Sequence, residues 1–486
     1  MMKPHIYLLT LALLFCGLHK AAPQNNTGSM MERFFAGRQQ FQSNFDSYVD
    51  SINLKFAEYL AKNWESFKVE SPVATPPKPE PKEIPVYIPE DIPATETPVA
   101  ADPLDPDTVL SEPSSRKDDM QTITETVMDL PGAPALEFFG TPVALSYVKA
   151  NDAGLAGTDE KQVADYWKQL SKTNYTSFIA GLNAKKTTMG LGAWGVYRLA
   201  LEWANAHFNA RQENDKTVFI VYMLNQAGYK AKIGRVRDEL LVMIAFQHTI
   251  YGKSYIRSSN DCYYIMSGKT LSGVPVSSYK LDYATALSYV DLQIRVPPKL
   301  LGNIRTVDRT FRDKTYTFKS NKNIADYYNT FPQTELAIYA GAPLSNVAEE
   351  SMKAELDKDL QGKTTTEKLR FLLAFVQNAF AYKTDGEQFG YEKFFFPEET
   401  ILYPYSDCED RAILFCRMVK LFCGIDSLLI EYPTHVASAV KSDEPGDAVI
   451  YNNERYLVCD PTYIGAPIGR TMKGYDNAAA KIIAFR

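Results

Sequence analysis

Phe34, Phe41, Phe45, Tyr48, Ile52, Phe56, Leu60, Trp64 and Phe67 recur at steps of mostly three and four, with polar residues between them. That spacing predicts an amphipathic helix over 30–70. An aromatic seam of this length needs burial: on a neighbouring domain, on a second copy of itself, or on an envelope or membrane surface. Prolines at 72, 76, 77, 79, 81, 85, 89, 93, 98, 103, 106 and 113 then break the periodicity. They predict a linker over 71–120 that forms neither helix nor sheet ladder and provides reach; a proline-motif ligand is its other use. Globular patterning resumes afterwards. The runs 135–139 and 143–147 predict short strands, and 160–210 and 215–228 predict helices. Leu292–Val296 and Tyr316–Phe318 are further β-type runs, and 344–381 is helical again. The division that follows is an α+β middle domain over 121–340 and a second α+β domain over 341–486.

The last domain has the clearest local signals. Ser406 and Glu409 stand at capping-box spacing, and Gly424 stands where a left-handed cap ends a helix, so a helix is expected over 407–423. Asn452-Asn453-Glu454 predicts a hairpin between Val449–Tyr451 and Tyr456–Val458. A faint internal repeat links the two domains: Val218–Gly228 aligns without gaps on Leu414–Gly424, and Tyr263–Met266 resembles Tyr456–Cys459. At the offset of the first alignment, Cys408 meets Gln212 and His435 meets Glu239. The middle domain is then a degenerate copy, unless two amphipathic helices resemble each other by chance.

The N-terminus reads as an export signal over 1–22. Lys3 and His5 precede an apolar run from Tyr7 to Leu18, too short to span a bilayer, followed by Lys20-Ala21-Ala22. Cleavage is expected near Ala21, with lipid attachment at Cys16 as the alternative; the destination is periplasm, cell surface or medium. The composition is globular, with 45% hydrophobic and 23% charged residues in a chain of 486, too long for one core. Thirty Tyr and 26 Phe suit aromatic-rich cores. The net charge is −6, and loss of Lys3 and Lys20 with the signal makes it −8 (50 basic against 58 acidic residues). With no basic block, nucleic acid is not an expected partner. Six cysteines become five after cleavage, so at least one thiol stays free or pairs between chains. No CxxC pair or His cluster is present, so no metal and no cofactor is expected. Cys416 and Cys423 are expected to bury as small apolar residues.

Three residues carry the chemistry. Cys408 lies in Tyr405-Ser406-Asp407-Cys408-Glu409-Asp410-Arg411, His435 opens His435-Val436-Ala437-Ser438-Ala439-Val440, and Asp460 precedes Pro461-Thr462. A helix N-terminus favours thiolate over thiol, and thiolate is the nucleophile. His435, with no other histidine after His248, is the available general base. Asp460 would hold the other ring nitrogen and fix the tautomer, as in a serine triad. A strict meander from His435 would leave His435 and Asp460 at opposite ends of the sheet. Lys441–Gly446 is therefore expected to be an excursion, after which the chain keeps its direction and the hairpin brings Asp460 back.

These motifs resemble the transglutaminase-like branch of the papain-like cysteine enzymes, in particular its exported bacterial members. The family's Cys motif is matched by Ser406–Ala412, its His motif by His435-Val436-Ala437 and its Asp-Pro-Thr by Asp460-Pro461-Thr462; Phe396–Leu402 is similar to the family's approach to the nucleophile. Ser406 replaces the usual glycine, and Ala437 stands where an aromatic often follows the histidine, which bears on the substrate groove more than on the triad. The resemblance covers the last ~150 residues. It implies an α+β fold with the cysteine helix packed on an antiparallel sheet, and acyl transfer from an amide through a thioester.

The reading is an exported cysteine acyl-transfer enzyme acting on a protein, peptide or cell-envelope amide. Cys408 attacks, His435 serves as base and then acid, and Asp460 orients His435. The Cys408 amide contributes to an oxyanion hole, with Tyr403 and Tyr405 as candidates for a second donor. Hydrolysis is favoured over transamidation, because nothing in the sequence marks an amine site; protein cross-linking is the alternative. A non-catalytic envelope scaffold using the papain-like groove is the reading from another class. Self-association or envelope contact would run through the aromatic helix.

Overall fold

Residues 64–70 are the first to pair widely. In the computed structural model, which describes residues 48–75, 84–88, 135–147, 154–268, 271 and 273–485, they form strands β1 (Trp64–Phe67) and β2 (Val69–Glu70), separated only by Lys68. The expected export signal, Cys16 and Phe34, Phe41 and Phe45 of the aromatic seam lie outside the described residues. The chain divides into two compact units, Met1–Lys55 and Phe56–Arg486. Residues 48–60 are helical (α1). Trp64 and Phe67, expected on that helix, are therefore in a strand instead. Their three-residue spacing suits a helix face, but two open sheet edges offer the backbone better partners.

Those edges belong to the middle of the chain. After the hairpin β3–β4 (Ala135–Phe138, Thr141–Ala144) come helices α2 (Glu160–Leu170), α3 (Tyr175–Thr188), α4 (Gly192–His207) and α5 (Glu213–Gln226). Strands β5 (Ala231–Val236), β6 (Glu239–Ala245), β7 (Tyr255–Ser258), β8 (Asp261–Ile265) and β9 (Val276–Tyr279) follow. Their sheet runs β1-β9-β5-β6-β8-β7-β2. Because β1 and β2 are one continuous segment, the sheet closes on itself and neither edge stays open. Phe67, Val69, Met243, Ile256, Tyr263, Ile265 and Val276 fill its interior. The expected strand Leu292–Val296 is absent. Leu292 and Ile294 are buried in alternation with exposed Gln293 and Arg295, but the run has no ladder partner among the described residues.

The hairpin β10–β11 (Ile304–Phe311, Lys314–Asn321) leads through α6 (Lys322–Tyr328) and α7 (Leu336–Ala340) to α8 (Asn346–Leu360) and α9 (Thr365–Ala379). Phe311, Tyr316 and Phe318 of the hairpin share a core with α8, α9 and the helix that follows, so this core draws in residues from before 341. Next come β12 (Ala381–Tyr382), α10 (Asp385–Gln388), α11 (Pro397–Leu402) and β13 (Tyr405–Ser406), with β12 and β13 paired in parallel. The chain ends with α12 (Cys408–Cys423) and strands β14 (Ser427–Tyr432), β15 (His435–Lys441), β16 (Ala448–Tyr451), β17 (Glu454–Cys459) and β18 (Lys481–Ile483). The sheet order is β16-β17-β15-β14-β18, all antiparallel, and α12 packs between α9 and β15. The architecture is mixed α+β.

The two sheets share one plan. The order β9-β5-β6-β8-β7 in the first reads as β18-β14-β15-β17-β16 in the second, and each is preceded by an antiparallel-sheet-packed helix, α5 or α12. The registers match as well. Val236 opposite Glu239 corresponds to Tyr432 opposite His435, and Met243 opposite Ile265 corresponds to Ala439 opposite Val458. Tyr255 opposite Tyr264 corresponds to Ala448 opposite Leu457. The aligned strings noted in the sequence thus occupy equivalent elements. Gln212 caps α5, Glu239 opens β6, and Ser267 follows β8 where Asp460 follows β17.

The proline-rich stretch makes two isolated bridges, Val73 with Tyr251 and Val86 with Ile464. Its described parts therefore meet the rest of the chain one residue at a time, without forming a ladder. A single bridge needs one N–H and one C=O, which the residues between prolines still carry.

Candidate active site

Cys408 is the first residue of α12. The N-cap is Asp407, one position later than the Ser406–Glu409 spacing suggests, because Asp410 rather than Glu409 turns back to accept the Asp407 amide at 3.4 Å. Gly424 ends the helix at φ 69°, the left-handed cap. Cys408 is fully buried, and its sulfur lies 3.0 Å from Glu409 Oε2. That contact requires one proton between sulfur and carboxylate.

His435 opens β15, and Asp460 directly follows β17. The segment 442–447 is the expected excursion: β16 runs in the direction of β15, and β17 returns between them. Its return to the sheet is tight, since Gly446, at φ 139°, lies backbone to backbone against Gly469. Asn452 and Asn453, at φ 52° and 63°, form the β16–β17 turn. The result joins His435 Nε2 to Asp460 Oδ2 at 2.8 Å, with both residues buried. Asp460 Oδ1 accepts the amides of Thr462 (2.9 Å) and Tyr463 (3.1 Å). A carboxylate so held fixes the proton of a neutral imidazole on Nε2, leaving Nδ1 as the basic nitrogen. Nδ1 has no hydrogen-bond partner among the described residues. The Tyr475 ring lies over the imidazole at 5.4 Å.

His435 and Asp460 are thus joined directly, and Cys408 is related to them through the packing of α12 on β15. Of the suggested oxyanion donors, the Tyr403 hydroxyl accepts from Asn329 at 3.0 Å, and Tyr405 carries Lys383 over its ring.

No motif marks the residues that support this site. Gln377, buried on α9, donates from Nε2 to the carbonyls of Asp460 (3.0 Å), Tyr463 (2.8 Å) and Ala466 (3.1 Å), and its Oε1 accepts from the Gly465 amide at 3.3 Å. One side chain thereby pins the loop that carries the acid. Its place on the buried face of an amphipathic helix was the single available hint. Around Cys408 lies a buried set of charges. Arg411 donates to Ser406 Oγ at 3.3 Å, and burial pulls its guanidinium down to about 10. Asp410 accepts the Phe395 amide at 2.9 Å; burial, with Asp385 and Glu409 adding like charge, pushes its carboxyl well above the ordinary carboxylate range. Glu399 is raised by burial despite Lys393 at 3.0 Å. Asp385, Glu392 and Glu409 bring carboxylate oxygens within 4.8 Å of one another, the grouping among the described residues whose donors suit a hard cation.

The other thiols differ. No disulfide forms among the described residues, so Cys262, Cys408, Cys416, Cys423 and Cys459 are all thiols. Burial raises Cys416 to about 12 and Cys459 further, so both are inert. Cys416 buries as expected, whereas Cys423 stays half-exposed at the helix end. No helix among the described residues is long and apolar enough to cross a membrane. Comparison with family models, curated proteins and solved structures finds no match.

Proposed function

We propose that this chain is an exported, transglutaminase-like cysteine acyl-transfer enzyme that hydrolyses peptide or carboxamide bonds. The observation that carries the proposal is the buried His435–Asp460 pair at 2.8 Å, its Nδ1 unpartnered, on the strand against which the Cys408 helix packs. In the proposed cycle, His435 Nδ1 takes the Cys408 proton and the sulfur attacks the carbonyl carbon. The Cys408 amide, at the positive end of α12, faces the oxyanion. The imidazolium returns its proton to the departing amine or ammonia as the C–N bond breaks, leaving a thioester. Water, deprotonated by His435, then releases the acid; an amine in its place gives transamidation. Asp460 keeps its proton-free carboxylate on Nε2 throughout and stabilises the imidazolium.

The reading is tested by iodoacetamide labelling at neutral pH, followed by peptide mapping. Half-exposed Cys262 and Cys423 are internal reference thiols. Cys408 is expected to label faster than either despite its burial, and His435→Ala is expected to slow it by about a hundredfold or more, the lower end of general-base assistance. Cys408 labelling slower than the references and indifferent to His435→Ala overturns the proposal. That result would favour the scaffold reading, which takes its support from complete burial of Cys408 and its bond to Glu409.

A further inference from the structure

Four residues after Asp460, the chain meets a piece of itself. The main chain of Ile464 is used on both sides by one extended segment: the Tyr87 amide donates to the Ile464 carbonyl at 2.8 Å, and the Ile464 amide donates to the Pro85 carbonyl at 2.9 Å. Tyr87 turns inward, its ring edge-on to Tyr463 at 5.6 Å and under the Arg470 guanidinium at 5.4 Å. Val86 and Ile88 point outward and are exposed. The hydrogen bonds and ring contacts of the segment thus involve its backbone and one aromatic side chain. Such a two-bond grip around a single residue is how a strand is added to a receptive backbone, and it tolerates sequence apart from the pocketed side chain.

The segment is suited to dock and to leave. Prolines at 85 and 89 bias Ile84 and Ile88 towards extended backbone, which reduces the ordering cost. Two main-chain bonds and one ring barely offset the ordering of five residues. The ledge is also coupled to the acid, because the Tyr463 amide bonds Asp460 Oδ1 and the Tyr463 carbonyl accepts from Gln377.

We propose that the Tyr463–Arg470 ledge is a docking site for an extended peptide that presents a large aromatic side chain, and that residues 84–88 fill it in cis. An incoming peptide substrate competes with this strap for the Ile464 main chain and the slot between Tyr463 and Arg470. The word substrate rests on the catalytic reading; the docking site does not.

The experiment is fluorescence anisotropy with a fluorescein-labelled synthetic peptide of residues 83–89, Glu-Ile-Pro-Val-Tyr-Ile-Pro, titrated with full-length protein. Tyr87→Ala, which loosens the strap, is expected to bind the peptide at least tenfold more tightly than the wild type. A peptide with alanine for its tyrosine should not bind, and adding Arg470→Ala to Tyr87→Ala should abolish the gain. Equal affinity for wild type and Tyr87→Ala, or no saturable binding to a Tyr87→Ala protein whose circular dichroism matches the wild type, overturns the proposal. Repeating the titration in Cys408→Ala separates the two readings. Binding there, with unreactive Cys408 in the wild type, keeps the ledge and discards the enzyme; reactive Cys408 without binding does the reverse.

Discussion

Replacing Gln377 by methionine keeps the length and most of the volume of the side chain while removing its polar end. Nε2 carries two protons and faces three carbonyls, and Oε1 accepts one amide, so at most three full hydrogen bonds are lost. At about 1 kcal/mol net each, the loop 460–466 loses about 3 kcal/mol of local stability. With about 1.4 kcal/mol per factor of ten, its opening should become roughly 150-fold more frequent. Hydrogen exchange read by mass spectrometry reports this through the amides of Thr462, Tyr463 and Gly465, all bonded within the clamp. Amides in α8, remote in sequence and packed on β11, serve as the unchanged control. Acceleration of less than about threefold at the three loop amides would refute the clamp, because it corresponds to less than one ordinary hydrogen bond. Acceleration shared by α8 would instead mean that the substitution loosens the whole core.

Two further outcomes follow from buried groups and close backbones. Burial raises the Asp410 carboxyl, so the folded state holds a proton that the unfolded state releases near pH 4; stability should fall as pH rises from about 4 through the raised value, and urea midpoints at pH 5 should exceed those at pH 7. Asp410→Asn should shrink that difference, and an unchanged difference would contradict the assignment, leaving Glu398 and Glu399 to account for it. Gly446→Ala would place a methyl 2.7 Å from the Gly469 backbone at a positive φ, and should destabilise by about 2 kcal/mol, seen as a lower melting temperature.

The C-terminal sheet was legible because its signals are local. The glycine cap, the Asn-Asn turn and the apolar alternation of β14, β15 and β17 each act within a few residues, and together they dictate the return of Asp460 to His435. The repeat was legible for the same reason, as equivalent strands carry equivalent patterns. What escaped depends on distant partners. Trp64 and Phe67 fit a helix face as well as a strand, and the choice is made by β9 and β7, about 200 residues further along the chain. Leu292–Val296 alternates like a strand but pairs with no strand among the described residues. Asp385 and Glu392 have no periodic or spacing relation to Glu409 and converge on it only after folding.

The segment at 64–70 has an implication for how the molecule is made. It leaves the ribosome early, yet its second partner, ending at Tyr279, is synthesised much later. The logarithmic growth of loop entropy makes this delay thermodynamically mild, and its burden falls on kinetics instead. Until the segment arrives, nascent chains carry two unsatisfied strand borders, which invite pairing between neighbouring polypeptides. A proteolytic nick near Lys68 would recreate that hazard in the finished protein, uncovering both borders in one event.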